Sequence, residues 1–284
     1  MPDHQYPPED FPDASGSLSI IRRVCPLCGH DNAEEPATRY SYGNWEVKRC
    51  CRCEFVYIEN APNYEELFSN MAWERTTQIE HRRRSRIRPL SYKLSRYTRV
   101  RMQLFPRQKV DLLIRAHARA GRLVDVGCGG GAGAAKLSDS FVPFGVEIST
   151  NLARSANELF ESLGGRAINA PSLEGLKEFP DEFFSAASLR SYLEHELNPV
   201  PVLRELHRTL EPGGKAVVKV PNFASLNRLA MGRKWCGFRY PDHLNYFTPR
   251  TLRAMATKCG YQTSSRFMFR LPTSDNMYAI LTKA

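Results

Sequence analysis

The chain has 284 residues, 42% of them apolar and 25% charged, an ordinary globular composition that excludes a mostly disordered protein. No charge-free stretch exceeds ten residues (Val126 to Ala135), so a transmembrane helix of about twenty apolar residues is excluded. Forty Lys and Arg against thirty Asp and Glu give +10, which suits an anionic partner: nucleic acid, a phosphorylated or nucleotide-linked metabolite, or an acidic membrane face.

Residues 1–19 carry four prolines and four acids with no Lys or Arg, and read as a disordered tail. They lack the basic start and apolar middle of a secretory signal, so a cytoplasmic protein is expected. Eight cysteines in a reducing compartment do not suit a disulfide framework. Four of them form two knuckles, Cys25-Pro-Leu-Cys28 and Cys50-Cys51-Arg52-Cys53, twenty-one residues apart. Two such knuckles complete a tetrahedral Cys₄ shell, the alternative being redox or incidental thiols. With no position left open, this zinc is structural. Gly29 suits a knuckle turn, whereas Glu54 lacks that advantage. The module runs over residues 20–58, with strands expected at Tyr40–Tyr42, Glu46–Arg49 and Phe55–Ile58.

Residues 59–120 read as a basic helical linker or cap. Between His81 and Arg101 stand eight arginines and one lysine with no acid, a solvated helix face or an anion-facing cap. Strands then alternate with helices over residues 121–284, which means a parallel α/β sheet. Strands are expected at Arg122–Val126, Phe141–Ile148, Gly165–Ala170, Phe183–Leu189 and Lys215–Val220. Two more follow near Gln262–Leu271 and Met277–Leu281. Helices begin at Gly131 (to Leu137), at Ser149 or Thr150 (to Leu163), and at Val200 (to Leu210). Glu211-Pro212-Gly213-Gly214 reads as a turn, and Thr248-Pro249 opens a last helix to about Cys259.

Val124-Asp125-Val126-Gly127-Cys128-Gly129-Gly130-Gly131 lies between the first of these strands and its helix. Glycines there let a ligand approach the backbone, at the strand ends where open α/β sheets bind cofactors. Glu147 ends the next strand, where a carboxylate can accept both hydroxyls of a ribose. The glycines alone also fit a dinucleotide site, since Gly127, Gly129 and Ala132 satisfy G-x-G-x-x-A. Asp125 separates the two, because a dinucleotide fold carries an apolar residue there. A buried carboxylate needs a partner, and the ammonium of an amino-acid-bearing cofactor supplies one.

The order of parts downstream resembles the class I S-adenosylmethionine-dependent methyltransferases, with Pro212-Gly213-Gly214 before the fifth strand. The paired cysteines, Leu193-Glu194-His195, Asn198-Pro199, Trp235, Pro241-Asp242-His243-Leu244 and Tyr246-Phe247-Thr248-Pro249 resemble the group with an N-terminal zinc-knuckle module. The resemblance runs from about Ile20 to the C-terminus. It implies an α/β fold, with a Rossmann-like seven-stranded methyltransferase sheet and a small N-terminal zinc-ribbon module. It also implies S-adenosyl-L-methionine as cofactor. Asp125, Gly127 and Gly129 would hold the methionine end, Glu147 the ribose hydroxyls and Ile148 the adenine face. Ser172 and Leu173 would meet the adenine edge, and Leu189 the sulfonium side. The chain departs from its relatives at Ser185, where they carry Asp. It departs again at Ser191, the first carboxylate of a Glu-x-x-Glu-His phrase through which some quinone and RNA methyltransferases bind a metal. No catalytic metal is expected.

Methyl transfer from a sulfonium is an in-line displacement, so the protein must mainly align nucleophile, methyl and sulfur. An oxygen or nitrogen nucleophile also loses a proton. His195 is the first candidate base, or orders its loop; His243 is the second. The latter lies in an insertion, Asn222 to Phe247, whose Arg233, Lys234, Trp235, Arg239, Tyr240 and Tyr246 suit an anionic acceptor pocket or simple packing. Three functions follow: O- or N-methylation of an anionic small-molecule or glycoconjugate acceptor, RNA methylation guided by the arginine run, or cofactor binding without catalysis. Leu189-Arg190-Ser191-Tyr192 replaces the Asn/Asp-Pro-Pro-aromatic loop of base-specific amino methyltransferases, which favours the first.

Overall fold

A computed structural model describes residues 19–63, 109–264 and 274–284. Arg22–Ala61 and Lys109–Ala284 form one compact unit. The expected tail and the arginine run lie outside the described residues, as does most of the strand expected near Gln262–Leu271. The elements are β1 (Ile20–Arg22), β2 (Val47–Arg49), β3 (Val56–Ile58), β4 (Asn60–Pro62), α1 (Val110–His117), β5 (Gly121–Val126), α2 (Ala132–Ala135), β6 (Phe141–Glu147), α3 (Thr150–Glu161) and β7 (Arg166–Asn169). They continue with α4 (Ser172–Lys177), β8 (Phe184–Arg190), α5 (Pro199–Thr209), β9 (Leu210–Pro221), α6 (Leu226–Met231), β10 (Asn245–Tyr246), α7 (Pro249–Lys258), β11 (Tyr261–Thr263) and β12 (Asn276–Lys283).

The seven-stranded sheet runs β11-β12-β9-β8-β5-β6-β7. Strands β5 to β9 are parallel, and β12 is antiparallel to both neighbours. β8 is buried from Phe184 through Leu189, as a central strand covered on both faces must be. Two apolar clusters fill the two faces. One gathers Val124, Leu189, Leu203, Val218 and Met255; the other gathers Leu123, Ile114, Phe160, Ala186 and Val217. Ser149 caps α3 by accepting from the Leu152 N–H, and Ala153, Ala156 and Phe160 turn inward. Thr248 and Thr251 form a capping box on α7, with Pro249 in its first turn. Strand order reverses between β5 and β8, which opens a crevice at their carboxyl ends.

Several expected elements differ. Glu211–Gly214 is no free turn, because β9 starts at Leu210, opposite Phe184, and the register shifts before Ala186. Gly213, at φ +76°, absorbs that irregularity. The helix after Gly131 is only four residues long, since glycines hold its start and middle. Tyr40–Tyr42 makes a single bridge, Tyr42 to Trp45, in place of a strand. The unanticipated β10 adds to the cysteine-bearing segment as the edge of a three-stranded sheet, β10-β3-β2. No helix among the described residues is long and apolar enough to cross a membrane.

Candidate active site

The glycine loop leaves β5 with the N–H groups of Gly127 and Cys128 donating to Val146 O at 2.9 and 3.2 Å. Gly127, Gly129 and Gly131 take φ values of +69°, +55° and +79°, the left-handed region that glycine enters without strain. A side chain at Gly127 would stand 2.8 Å from the Tyr192 ring, whereas one at Gly129 would meet nothing within 4 Å. Gly129 therefore faces open space. Glu147 is fixed beneath it, its carboxylate accepting the N–H groups of Gly129 at 2.8 Å and Ser149 at 2.9 Å. Ile148 follows, and Ser172 and Leu173 open α4 just past β7; all three are half-buried. Asp125 is 4% exposed. Burial pushes its carboxyl up to about 6, against the pull of the Ser188 hydroxyl and the Arg190 charge.

These residues share the carboxyl edge of β5, β6 and β7, where the sequence placed them. Leu189 is the correction. It is 0% exposed, and strand alternation turns it to the face opposite Asp125, into the core. Arg190 and Tyr192 reach the loop in its place.

A second cluster lies beyond β8. His195 Nδ1 meets the Asp242 carboxylate at 3.0 Å and the Asp242 carbonyl at 2.9 Å, while Arg239 holds the same carboxylate at 3.0 Å. The rings of His195 and His243 meet edge to face with centroids 4.8 Å apart, and His243 Nδ1 donates to Gly237 O at 2.8 Å. Burial works against a charge on His195, but Asp242 and then Glu194 outweigh it and raise the imidazole to about 9. Burial and the His195 charge hold His243 well below its usual value. At neutral pH one ring is a cation and its neighbour is neutral. Ligand atoms of Glu194, His195 and His243 lie within 4.8 Å of one another. Ser191, where a metal-binding relative would carry a carboxylate, accepts from Lys219 Nζ at 3.2 Å.

Asp242 was given no role in the sequence, although a signal exists: it is the single acid in the insertion from Asn222 to Phe247. Two further residues were missed. Buried Arg23 donates to Ile58 O at 3.0 Å, Leu197 O at 2.7 Å and Asn245 Oδ1 at 2.9 Å. Asn245 Nδ2 then donates to Leu193 O at 2.9 Å and Glu196 O at 2.6 Å. The N–H groups of Leu244 and Asn245 donate to Glu194 O at 2.7 and 3.0 Å. Cysteine module, insertion and His195 loop are thereby one hydrogen-bonded body.

A family model described as "Methyltransferase domain" matches residues 96–265, more than half of the chain. The chain belongs to the methyltransferase-domain family. The matched residues include β5 to β9 and the glycine loop. A structure of a methyltransferase from Thermotoga maritima is 19% identical at TM-score 0.49, over 62% of this chain and 88% of the other. One from Archaeoglobus fulgidus is 18% identical at TM-score 0.48, over 62% and 93%. An uncharacterized 37.1 kDa protein in transposon TN4556 of Streptomyces fradiae is 31% identical over 125 residues. That match spans 42% of this chain and only 35% of the relative.

In the methyltransferase, Cys25, Cys28, Cys50 and Cys53 bring their sulfurs within 4.8 Å of one another. The Cys25–Cys53 and Cys28–Cys50 pairs, at 3.4 and 3.5 Å, are too long for disulfides. They approach the edge of about 3.8 Å that tetrahedral Zn–S bonds of about 2.3 Å produce. The knuckles repeat one geometry: the N–H of Gly29 donates to Cys25 O at 2.8 Å, and that of Glu54 to Cys50 O at 2.9 Å. Glu54 accordingly adopts φ +63°, beside +78° at Gly29.

Most of the insertion's aromatic residues pack. Trp235 is 2% exposed and donates to Asp275 at 2.8 Å, and Tyr246 lies against Phe223 and Phe238. Arg233 docks on Ser41 O at 2.9 Å. Among the described residues, a cavity of about 290 Å³ lies between the cysteine module and the segments after β9. Arg49, Arg228, Arg250, Glu54, Tyr40 and Phe223 line it, with Arg228 over the Phe223 ring at 4.4 Å.

Proposed function

We propose that this methyltransferase acts on an oxygen or nitrogen nucleophile of a compact anionic acceptor, a small molecule or a glycoconjugate, and that a structural zinc fills the Cys25, Cys28, Cys50 and Cys53 shell. The observation that carries the acceptor reading is the cavity walled by Arg49, Arg228 and Arg250. Its scale suits a ligand of drug-like size, and Arg228, beside Arg49 and Arg250 that pair with Glu54, suits carboxylate or phosphate.

S-adenosyl-L-methionine supplies the activated methyl group. Asp125, Gly127 and Gly129 hold its methionine end, Glu147 accepts the ribose hydroxyls, and Ile148, Ser172 and Leu173 border the adenine. His243 is the candidate base: its Nδ1–H is committed to Gly237, which leaves the Nε2 lone pair for the nucleophile's proton. His195, kept charged by Asp242, stands against the His243 ring as a fixed cation. The two rings divide the work that the sequence assigned to either one.

The test is incubation of the full chain with methyl-labelled cofactor and fractionated extract at physiological salt. Label is expected in anionic small molecules or glycoconjugates. Label confined to RNA would overturn the acceptor reading. Metal analysis of chelator-free protein is expected to give close to one zinc per chain, and a metal-free, fully folded protein would overturn the zinc assignment.

A further inference from the structure

The insertion after β9 carries a helix whose polar side faces inward. In α6, Arg228 donates to Phe223 O and to the Tyr40 hydroxyl, both at 2.7 Å, and Asn227 Nδ2 donates to Asp275 at 3.3 Å. Leu226, Leu229 and Met231 are instead 50%, 58% and 37% exposed, and no residue of α6 is buried. Leu226 and Leu229, three apart, share one face of a helix that Ser225 caps and Gly232, at φ +52°, ends. A surface helix ordinarily shows the reverse arrangement. Eight large apolar side chains are exposed among the described residues, and three of them fall within these six positions. That is a patch, not scatter. Charge flanks it with one sign. Residues 222–241 carry four basic side chains and no acid. Arg233 and Lys234, directly after α6, are both exposed, and Arg233 meets only the Ser41 carbonyl among the described residues. Asp275, the acid that touches this segment, is committed to Trp235 Nε1 and Asn227.

We propose that α6 and the two cations after it dock on an anionic lipid bilayer. Aliphatic side chains beside Lys and Arg are the chemistry of a helix that lies in the headgroup layer, its apolar face in the acyl boundary and its cations on lipid phosphates. Single-stranded nucleic acid fits less well, because bases stack on aromatic rings, and here Trp235 and Phe238 are buried while aliphatic groups stand outside. A second copy packed face to face would set Arg233 and Lys234 against their own equivalents. The proposal goes beyond the acceptor reading and does not need it. Phe223, Ala224 and Arg228 also line the cavity described above, so docking brings that cavity beside the headgroups.

Flotation of the full chain with phosphatidylcholine vesicles, with and without phosphatidylglycerol, is the test. Wild type is expected to bind the anionic vesicles about tenfold or more tightly than the neutral ones, the scale of two cations at a charged surface. Leu226→Ser with Leu229→Ser should weaken that binding about tenfold or more. The melting temperature of that variant should match wild type, because exposed side chains contribute little to stability. Arg233→Glu with Lys234→Glu should abolish the preference for phosphatidylglycerol. Leu229→Trp keeps the test readable if the serine pair does not fold, since brominated lipid should then quench fluorescence beyond the wild-type level. Equal binding to both vesicles, binding unchanged in the serine pair, or no added quenching in Leu229→Trp each overturns the proposal. So does RNA binding, or a concentration-dependent dimer, that the two leucine substitutions abolish; either result gives the patch to a different occupant.

Discussion

Gly29 and Glu54 hold the same place in twin knuckles, and only one of them is a glycine. Glu54 keeps its left-handed backbone while ion-paired to both Arg49 and Arg250. Gly29 isolates the backbone cost, since a β-carbon there meets no atom within 4 Å. Gly29→Ala should therefore destabilise the folded chain by about 1 kcal/mol through its dihedral alone, read from urea midpoints. His195 supports a pH prediction. Its folded value of about 9 lies above the ordinary value of 6.5, so the stabilisation is complete below pH 6.5 and fades as pH rises through about 9. The groups facing it are Asp242, Glu194, Arg239 and His243. Denaturant titrations should show wild-type stability falling between about pH 7 and 9.5, and Asp242→Asn should flatten that fall. An unchanged slope would separate His195 from Asp242. Asp125 and Glu147 stand out in the sequence because each breaks an apolar strand at or next to its carboxyl end. Leu189 misled because period-two alternation decides its direction, and Asp242 because its partner His195 lies 47 residues away.

Among elements, the short β10 changes the site most. Two residues carry no periodicity, and the strand exists only because Asn245 and Tyr246 pair with Tyr57 and Val56 on a distant segment. The long parallel strands were readable from their apolar runs, and α3, α5 and α7 from caps and spacing. β10 hangs the His195 loop on β3, and β3 follows directly on the second knuckle. Removing the proposed zinc ligand in Cys50→Ser should hence lower kcat by more than about tenfold while the cofactor Kd, for the site proposed at the far edge of β5 to β7, moves less than about twofold. Loss of a structural metal costs folding energy of its module, so the comparison belongs below the melting temperature of the variant. Equal losses in kcat and in cofactor affinity would mean that the module supports the whole sheet.

Over the whole molecule, alternating strands and helices announced a parallel sheet, its seven strands came from the resemblance, and its order is seen only in the fold. The joining of the module to that sheet was not legible, because Arg23, Asn245 and Leu197 meet only in space. Among the described residues the basic cavity belongs to this scale as well. The guanidiniums Arg49 and Arg250 are already paired to Glu54, and Arg228 is stacked, so the cavity offers a few directed contacts instead of a continuous phosphate track. Acceptor KM should rise no more than about tenfold between roughly 50 and 200 mM salt, where a chain neutralising six to ten phosphates loses about 10³–10⁵ in affinity. A steeper dependence would point to long nucleic acid.

The pairing of β10 with β3 also bears on any attempt to pare the enzyme down. A shortened chain beginning near Lys109 would keep the complete seven-stranded sheet and every residue of the cofactor loop. It would also strip the partner from β10, bare an unpaired strand edge, and expose Phe247, which packs on Phe55 at a ring distance of 5.2 Å. An uncovered edge beside an apolar face is a template for self-association. Such a fragment should collect as insoluble aggregate.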